Sequence, residues 1–425
     1  MKTYEQARKF IEDASKTGSV LGLLSISLLM ETLGNIQDEL NIIHIAGTNG
    51  KGSVGTYLES VLSEAGYSVA RYTSPAVFEP LEIYKCNGKN IEKDEYVKIM
   101  SQVKNACDIL VSENKPMPTV FEIETAAAFL WFYEKKTDVV LLEVGMGGET
   151  DATNVISKSM ASVLTSISFD HMQFLGNSLY DIARIKAGVI KEKGIVFSAK
   201  QPDEVRKAID EIAAEKKAKV FYADESKVSE IEVKAGCLSL KYRFDKGENG
   251  ICILETSMSG IYQVKNMLLA VEIVNNLFAD ISREVIQRGV KKAYWPGRFE
   301  VISQKPLVII DGAHNEAAAI ELSKTVQNCF TNKRLTYIIG VLADKEHEKM
   351  LKIMLPFADS VYTVTPDNPR AMDAGELAKE AAKYHDNVIC CKSISEAYKN
   401  ALLDGRPILA FGSLSYLEAL KKCVV

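Results

Sequence analysis

The chain has 425 residues, 47% of them hydrophobic and 25% charged, with a formal net charge of −5. That length exceeds one ordinary core, so two domains are the default and three are possible. The acidic balance, with no basic stripe beyond short lysine pairs, gives no reason to expect nucleic acid as a partner.

The first twenty residues, "MKTYEQARKFIEDASKTGSV", are amphipathic and contain acids, which is not the pattern of a signal peptide. The longest apolar stretch, "LGLLSISLLM", is about ten residues and too short to span a bilayer. The eight cysteines form no C-x-x-C pair and no zinc-site spacing, so they read as reduced thiols. These features predict a soluble cytoplasmic protein with no membrane partner.

In chain order, "NIIHIAG" reads as a strand, and "SVGTYLESVLSEAGY" as a helix closed by Gly66. "SVARYTSP" is the next short strand, and "TVFEIETAAAFLWFYEKK" has helical spacing and few breakers. "TDVVLLEVG" is a continuous apolar run of the kind covered on both faces in a parallel sheet, and "ASVLTSI" is another. "SLYDIARIKAGVIK" follows as a helix. Between Val228 and Met258 the segments "IEVKAGCLSLKYRF" and "GICILET" alternate like exposed antiparallel strands around "DKGENG". The helical "IYQVKNMLLAVEIVNNLFA" then returns, and after Trp295-Pro296-Gly297 a second alternating series begins: "LVIIDGAHN", "LTYIIGVLADKE", "SVYTVT", "NVICC" and "PILAFGS".

The predicted architecture is α/β: a P-loop-type doubly wound domain over 1–297, with a small antiparallel sheet near 228–258, then a smaller Rossmann-like domain over 298–425. The active site is expected in the cleft between them.

The loop "GTNGKGS" after the first strand fails the usual pattern G-x-x-x-x-G-K-[ST], because Ile45 stands where the first glycine belongs and Gly52 follows the lysine. Its glycines permit positive φ, and N–H groups at a helix start hold phosphate oxygens with help from the helix dipole. Lys51 is placed to neutralise β- and γ-phosphates, with hydroxyl contacts from Ser53 or Thr48. A βα turn that binds nothing is the alternative for the loop alone.

The loop's company narrows the choice. "GTNGKGS", "YTSP", "EVGMGGETDATN", "FDHMQFLG", "IARIKAGVIK", "WPGRFE" and "DGAHN" occur in this order, each at a strand end or loop. Together with "ETLGNIQDELNIIHIAG" they resemble the folylpolyglutamate synthase / dihydrofolate synthase family of the Mur ligase superfamily, over roughly Leu33 to Leu414. The resemblance implies an ATP-dependent amide ligase that adds L-glutamate to a folate, with conversion of dihydropteroate to dihydrofolate as an open second activity, through an acyl phosphate. It implies ATP and Mg²⁺ as cofactors. Thr48, Asn49, Gly50, Lys51, Gly52 and Ser53 would cradle the phosphates, with Asn266, Arg298 and Asp311 as further nucleotide contacts. Ser74, Glu143 and His171 would hold metal, joined by Lys186 as a carbamate. Asp151, His314 and Asn315 would face substrate, with Lys51, Lys186 and His314 nearest the chemistry. A monomer is expected.

Other positions are less settled. Lys191 reads as a solvated lysine at a helix end, while Glu122 and Thr125 are candidates to approach substrate, and Asp344 and Lys345 to bind glutamate. The chain also departs from the family: Ile83 stands where an arginine is common after "TSP", and Glu149-Thr150 where some bifunctional relatives carry Arg-Leu. Both bear on the pterin side and leave the acceptor open. Two other readings are a peptidoglycan-type Mur ligase acting on a UDP-linked acceptor and a nucleotide-binding regulator without catalysis. "LGNIQDEL" and "DGAHN" count against the first, and the intact Lys51, Glu143, His171 and Lys186 against the second.

Overall fold

The computed structural model describes residues 1–15, 22–76, 79–170, 172–244, 250–344 and 347–424. The chain divides into two units, Met1–Asp224 with Asn266–Gly289, and Glu225–Lys265 with Val290–Val425.

The first unit is built on β1 (Ile42–Ala46), β2 (Val69–Tyr72), β3 (Tyr84–Cys86), β4 (Lys89–Asn90), β5 (Val139–Glu143), β6 (Ala161–Leu164), β7 (Ile195–Ser198) and β8 (Lys219–Tyr222). They lie in the order β4-β3-β2-β5-β1-β6-β7-β8, parallel from β2 to β8 and antiparallel at the β3–β4 edge. Every residue of β1 and β5 is buried, as their unbroken apolar runs require of strands covered on both faces. From β1 the chain runs out to β2, β3 and β4, returns to β5 beside β1, then crosses to β6 on the other side and continues outward to β8. This makes β1 the topological switch point, where doubly wound sheets open a crevice at their carboxyl edge.

The helix Lys51–Glu64 ends as the sequence predicts. Gly66 takes φ 92°, and Tyr67 N donates to Leu62 O at 3.0 Å, a Schellman closure. On one sheet face the helices Tyr4–Ala14, Leu24–Thr32, Lys93–Ser112 and Val120–Lys135 build the larger core. The same face continues under Leu179–Ala187 and Asp203–Glu215, which pack on Leu164 and Val196 in register with Ala46 and His44, while the helix Lys51–Glu64 covers the opposite face over Arg71.

The second unit holds a three-stranded antiparallel sheet, β9 (Val228–Lys234), β10 (Cys237–Arg243) and β11 (Ile251–Thr256), in the order β11-β10-β9. The turn expected at "DKGENG" falls largely at 245–249, outside the described residues. A six-stranded sheet follows with β12 (Glu300–Gln304), β13 (Leu307–Ile310), β14 (Leu335–Ile339), β15 (Ala358–Thr363), β16 (Val388–Cys390) and β17 (Ile408–Phe411). Its order is β12-β13-β17-β14-β15-β16, parallel except for β12.

Within the second unit the small sheet packs with the six-stranded sheet. A Cβ on Gly236, between β9 and β10, would stand 3.5 Å from Val301 of β12, and Ser259 donates to Phe299 O at 3.4 Å.

Candidate active site

The phosphate loop is locked by its two left-handed glycines. A Cβ on Gly47 (φ 148°) would stand 1.9 Å from Thr165 Oγ1, and one on Gly50 (φ 94°) 2.4 Å from Asn266 Oδ1. Only glycine fits at either position. The loop is tied to the end of β6: Thr48 N and Asn49 N donate to Ser166 O at 2.9 and 3.2 Å. Thr48 Oγ1 donates to Ser168 O at 3.0 Å and accepts from Ser168 N at 3.1 Å. The Thr48 hydroxyl, expected at a phosphate, is therefore engaged in holding the loop.

Gly50 is the N-cap of the helix Lys51–Glu64 and brings no side chain to close it, so the helix start keeps its anion-binding character. Lys51 Nζ folds back to Gly47 O at 3.1 Å and Thr48 O at 3.5 Å. Beneath the helix lies a residue the sequence reading passed over. Arg71 of β2 is buried and donates from Nη2 to Gly52 O (2.6 Å) and from Nη1 to Thr56 Oγ1 (2.7 Å) and Glu59 Oε2 (3.2 Å). A charged residue inside the short apolar strand "SVARY" was the available signal.

Lys186 lies on the inner face of Leu179–Ala187, with Ile182, Ala183 and Ala187. It is 4% exposed, and its Nζ donates to Gly47 O at 3.1 Å, the same carbonyl that Lys51 reaches. Burial first, and the nearby Lys51 charge second, push its pKa down to about 7. A lysine so placed holds a large neutral fraction at physiological pH, the form that acts as a nucleophile.

The expected metal donors sit at the same carboxyl edge. Glu143 is the last residue of β5, paired beside Ile45 of β1, and is buried. Ser74 follows β2, and its Oγ is buried with no hydrogen-bond partner among the described residues. His171 lies outside the described residues.

Asp151 is buried with both oxygens engaged inside its own loop: Met146 N donates to Oδ2 at 2.8 Å, and Thr153 N and Oγ1 to Oδ1 at 3.0 and 2.5 Å. Burial raises its pKa against these bonds. What it visibly does is shape the loop after β5.

Two readings need correction. Lys191 is not simply solvated. Its half-buried Nζ donates to Asn154 Oδ1 (2.8 Å), Asn154 O (3.2 Å) and Ile156 O (2.5 Å), and burial lowers its pKa to about 8. Glu122 and Thr125 are structural. Glu122 closes a capping box with Thr119 and accepts from Ile26 N at 3.1 Å, while buried Thr125 donates to Phe121 O at 2.7 Å.

In the second unit the carboxyl ends of β13, β14 and β17 converge. A Cβ on Gly412 (φ 113°) would stand 2.6 Å from Gly340 O. Asp311, directly after β13, accepts from Tyr262 Oη (2.6 Å), Phe299 N (2.8 Å) and Ala313 N (2.8 Å). Burial raises its pKa, while Tyr262 and then Arg298 oppose the shift. Arg298 crosses Gly312 so closely that a Cβ there would lie 2.0 Å from Nη1. His314 donates from Nδ1 to Gly312 O at 2.8 Å when neutral, and Asn315 caps Glu316–Cys329 by accepting from Ala318 N at 2.9 Å. Arg298, Asp311, His314 and Asn315 thus belong to one loop cluster. Tyr262, which sequence reasoning missed, joins it from a distant segment. Asp344 is exposed and paired with Arg370 at 3.1 Å, and Lys345 lies outside the described residues. No described helix is long and apolar enough to cross a membrane.

A glycine-locked phosphate loop at the switch point of one sheet, with a second Rossmann-like sheet, defines an ATP-dependent ligase of the Mur type. The Mur ligase middle domain matches residues 45–274, and the Mur ligase glutamate ligase domain residues 297–414. The dihydrofolate synthase/folylpolyglutamate synthase of Bacillus subtilis is 34% identical over 99% of this chain and 98% of its own length. Mycobacterium tuberculosis folylpolyglutamate synthase, solved with ADP and AMPPCP, is 30% identical with a TM-score of 0.89 over 99% of this chain and 97% of that one. E. coli FolC, solved with DHPP and ADP, is 26% identical with a TM-score of 0.86 over 98% and 97%. The chain belongs to the folylpolyglutamate synthase / dihydrofolate synthase family.

Proposed function

We propose that this enzyme joins L-glutamate to the free carboxylate of a pteroyl compound at the expense of ATP. The observation that carries the reading is the pairing of Lys51 and Lys186 on one carbonyl of a loop locked by Gly47 and Gly50, at the carboxyl edge of β1. A carboxylate is a poor electrophile. Transfer of the γ-phosphoryl group to one of its oxygens gives an acyl phosphate and ADP. The glutamate amine then attacks the acyl carbon, phosphate leaves with that oxygen, and a proton is released.

The loop N–H groups and Lys51 hold and neutralise the phosphates. Ser74 and Glu143, with His171 by resemblance, suit Mg²⁺, which prefers oxygen ligands. The unpartnered buried Ser74 hydroxyl fits that use. When bound, the ion offsets charge on the transferring phosphoryl group. Among the described residues no three His, Cys, Asp or Glu side chains cluster as a metal site; the proposed donor set would be Ser74, Glu143, His171 and a carbamate on Lys186. On Lys186 the neutral amine would add to CO₂, forming an N–C bond and releasing a proton. That turns a buried cation into an oxygen-bearing anion.

We place the enzyme in the cytoplasm, consistent with its free cysteines, and propose that it acts as a monomer. Dihydropteroate is a second candidate acceptor beside tetrahydrofolates. The test uses purified protein, ATP, Mg²⁺, glutamate and a panel of pteroyl acceptors carrying ¹⁸O in the carboxylate. The expected product is longer by one glutamate, with ¹⁸O in the released phosphate. ADP release stimulated by a UDP-linked muropeptide, and by no pteroyl acceptor, would overturn the reading.

A further inference from the structure

The strand that feeds the phosphate loop carries a buried polar side chain that no step of the reaction uses. His44, midway along β1, is fully buried, and its Nε2 lies 2.9 Å from Thr153 Oγ1. Thr153 has one hydroxyl proton, and Asp151 Oδ1 takes it at 2.5 Å. His44 must therefore be the donor, from Nε2–H to Thr153 Oγ1. Nδ1 of the same ring is then a bare acceptor, buried and without a partner among the described residues. Burial, with the Lys191 charge, keeps the ring neutral by lowering its pKa to about 3. An apolar side chain would avoid the orphaned acceptor, so the feature that distinguishes histidine here is the bond it makes.

That bond is one link in a closed circuit. Asp151 ties Thr153 to Met146 N, and Asn154 Nδ2 donates to Glu149 O (2.9 Å) and to Gly188 O (3.2 Å). Glu149 N donates to Ile185 O at 2.9 Å, and a Cβ on Gly148 would stand 3.0 Å or less from Ile185 O, Lys186 O and Lys186 Cα. Lys191 grips Asn154 from beyond the helix end. The loop after β5 thus holds the end of Leu179–Ala187, and that helix returns Lys186 Nζ to Gly47 O at 3.1 Å. Gly47 lies three residues after His44 on the same chain segment.

We propose that His44 and Thr153 are positioning residues: through Asp151 and Asn154 they register the helix that bears Lys186 against the phosphate loop. The inference rests on the reading that Lys186 belongs to the active centre. Among the described residues neither side chain hydrogen-bonds the phosphate loop, so their loss should act on turnover and spare nucleotide affinity.

The experiment pairs His44→Leu, which removes the donor, with His44→Gln, which keeps one. Thr153→Val is paired with Thr153→Ser in the same way. Steady-state kcat, the ADP dissociation constant and thermal unfolding are measured on each full-length enzyme. His44→Leu and Thr153→Val should lower kcat by about tenfold or more, equivalent to ~1.4 kcal/mol of barrier, with ADP affinity within about twofold of wild type. His44→Gln and Thr153→Ser should recover most of the loss. Where His44→Leu does not fold, the Thr153 pair decides. Unchanged kcat in the donor-less variants, no recovery in the conservative ones, or ADP affinity falling in parallel with kcat overturns the proposal. Lys186→Ala is the control for the underlying reading. If it retains full activity, that reading has failed; if it is inactive while His44→Leu turns over normally, only the circuit has.

Discussion

Lys186 should be a liability to the fold, and Lys186→Met tests that directly. Its pKa falls from the ordinary 10.5 to about 7 in the folded chain, with burial as the first cause, and the side chain is 4% exposed. At ~1.4 kcal/mol per unit, the gap costs about 5 kcal/mol of folding free energy at pH 7 and below. Methionine loses the hydrogen bond to Gly47 O, worth about 1 kcal/mol, so the net gain should be ~4 kcal/mol. In a unit of this size that raises Tm by roughly 8–16 °C. The folded-state pKa lies below the unfolded one, so the unfolded chain binds more protons between about pH 7 and 10.5. Wild-type stability should therefore rise with pH through that window, and the methionine variant should lack this rise. The assay is calorimetry from pH 7 to 9 on protein freed of bicarbonate and metal, alongside turnover, which should be lost. A variant melting at or below wild type at pH 7, or stability curves that run parallel in pH, would refute the reasoning.

Lys51→Ala should abolish turnover while leaving the melting temperature within a few degrees, because among the described residues Nζ bonds only two loop carbonyls; an active, folded variant would remove the phosphate-cradle reading. Gly50→Ala should cost about 1–2 kcal/mol for its φ of 94°, and more for the approach of Asn266 Oδ1, with weakened ADP binding by calorimetry as the readout. His44 is buried neutral with a pKa of about 3, so its contribution is present above the unfolded value of 6.5 and is lost as pH falls towards 3. Denaturant unfolding should show wild type losing about 2 kcal/mol more than His44→Gln between pH 7 and 5. Activity lost in Lys186→Ala should return in part with a small added carboxylic acid, and no rescue by any such acid would argue against the carbamate.

Strands wrote themselves plainly into the sequence where they are covered on both faces. β1 and β5 are unbroken apolar runs, and the glycines of "GTNGKGS" mark a turn that nothing else fits. The edge hairpin β3–β4 went unread although Asn87-Gly88, with φ of 53° and 74°, is a strong two-residue turn signal. Which strands the small sheet packs beside was not legible for another reason. Alternation shows that strands exist but not which sheet they ride on, and the deciding contacts, Gly236 to Val301 and Ser259 to Phe299, join segments far apart in the chain. The same holds at the site. His44 and Thr153 are separated by 109 residues, Tyr262 and Asp311 by 49, and no local pattern reports such pairs.

Lys186 and Lys191 show where local pattern suffices and where it does not. The helix Leu179–Ala187 buries Ile182, Ala183 and Ala187, and 186 follows 182 by four residues, so the 3.6-residue period itself puts Lys186 on the apolar face. A lysine there is either an error of packing or a group whose neutral form is wanted, and burial is the cause of both the cost and the chemistry. Lys191 lies past the helix end, where the period no longer applies. Only the folded loop supplies the three oxygens of Asn154 and Ile156 that hold it. The two side chains are thus opposite uses of one residue type. Lys191 is satisfied by carbonyl oxygens and holds a loop. Lys186 shares its one visible acceptor with another cation, the condition under which a proton is easily given up.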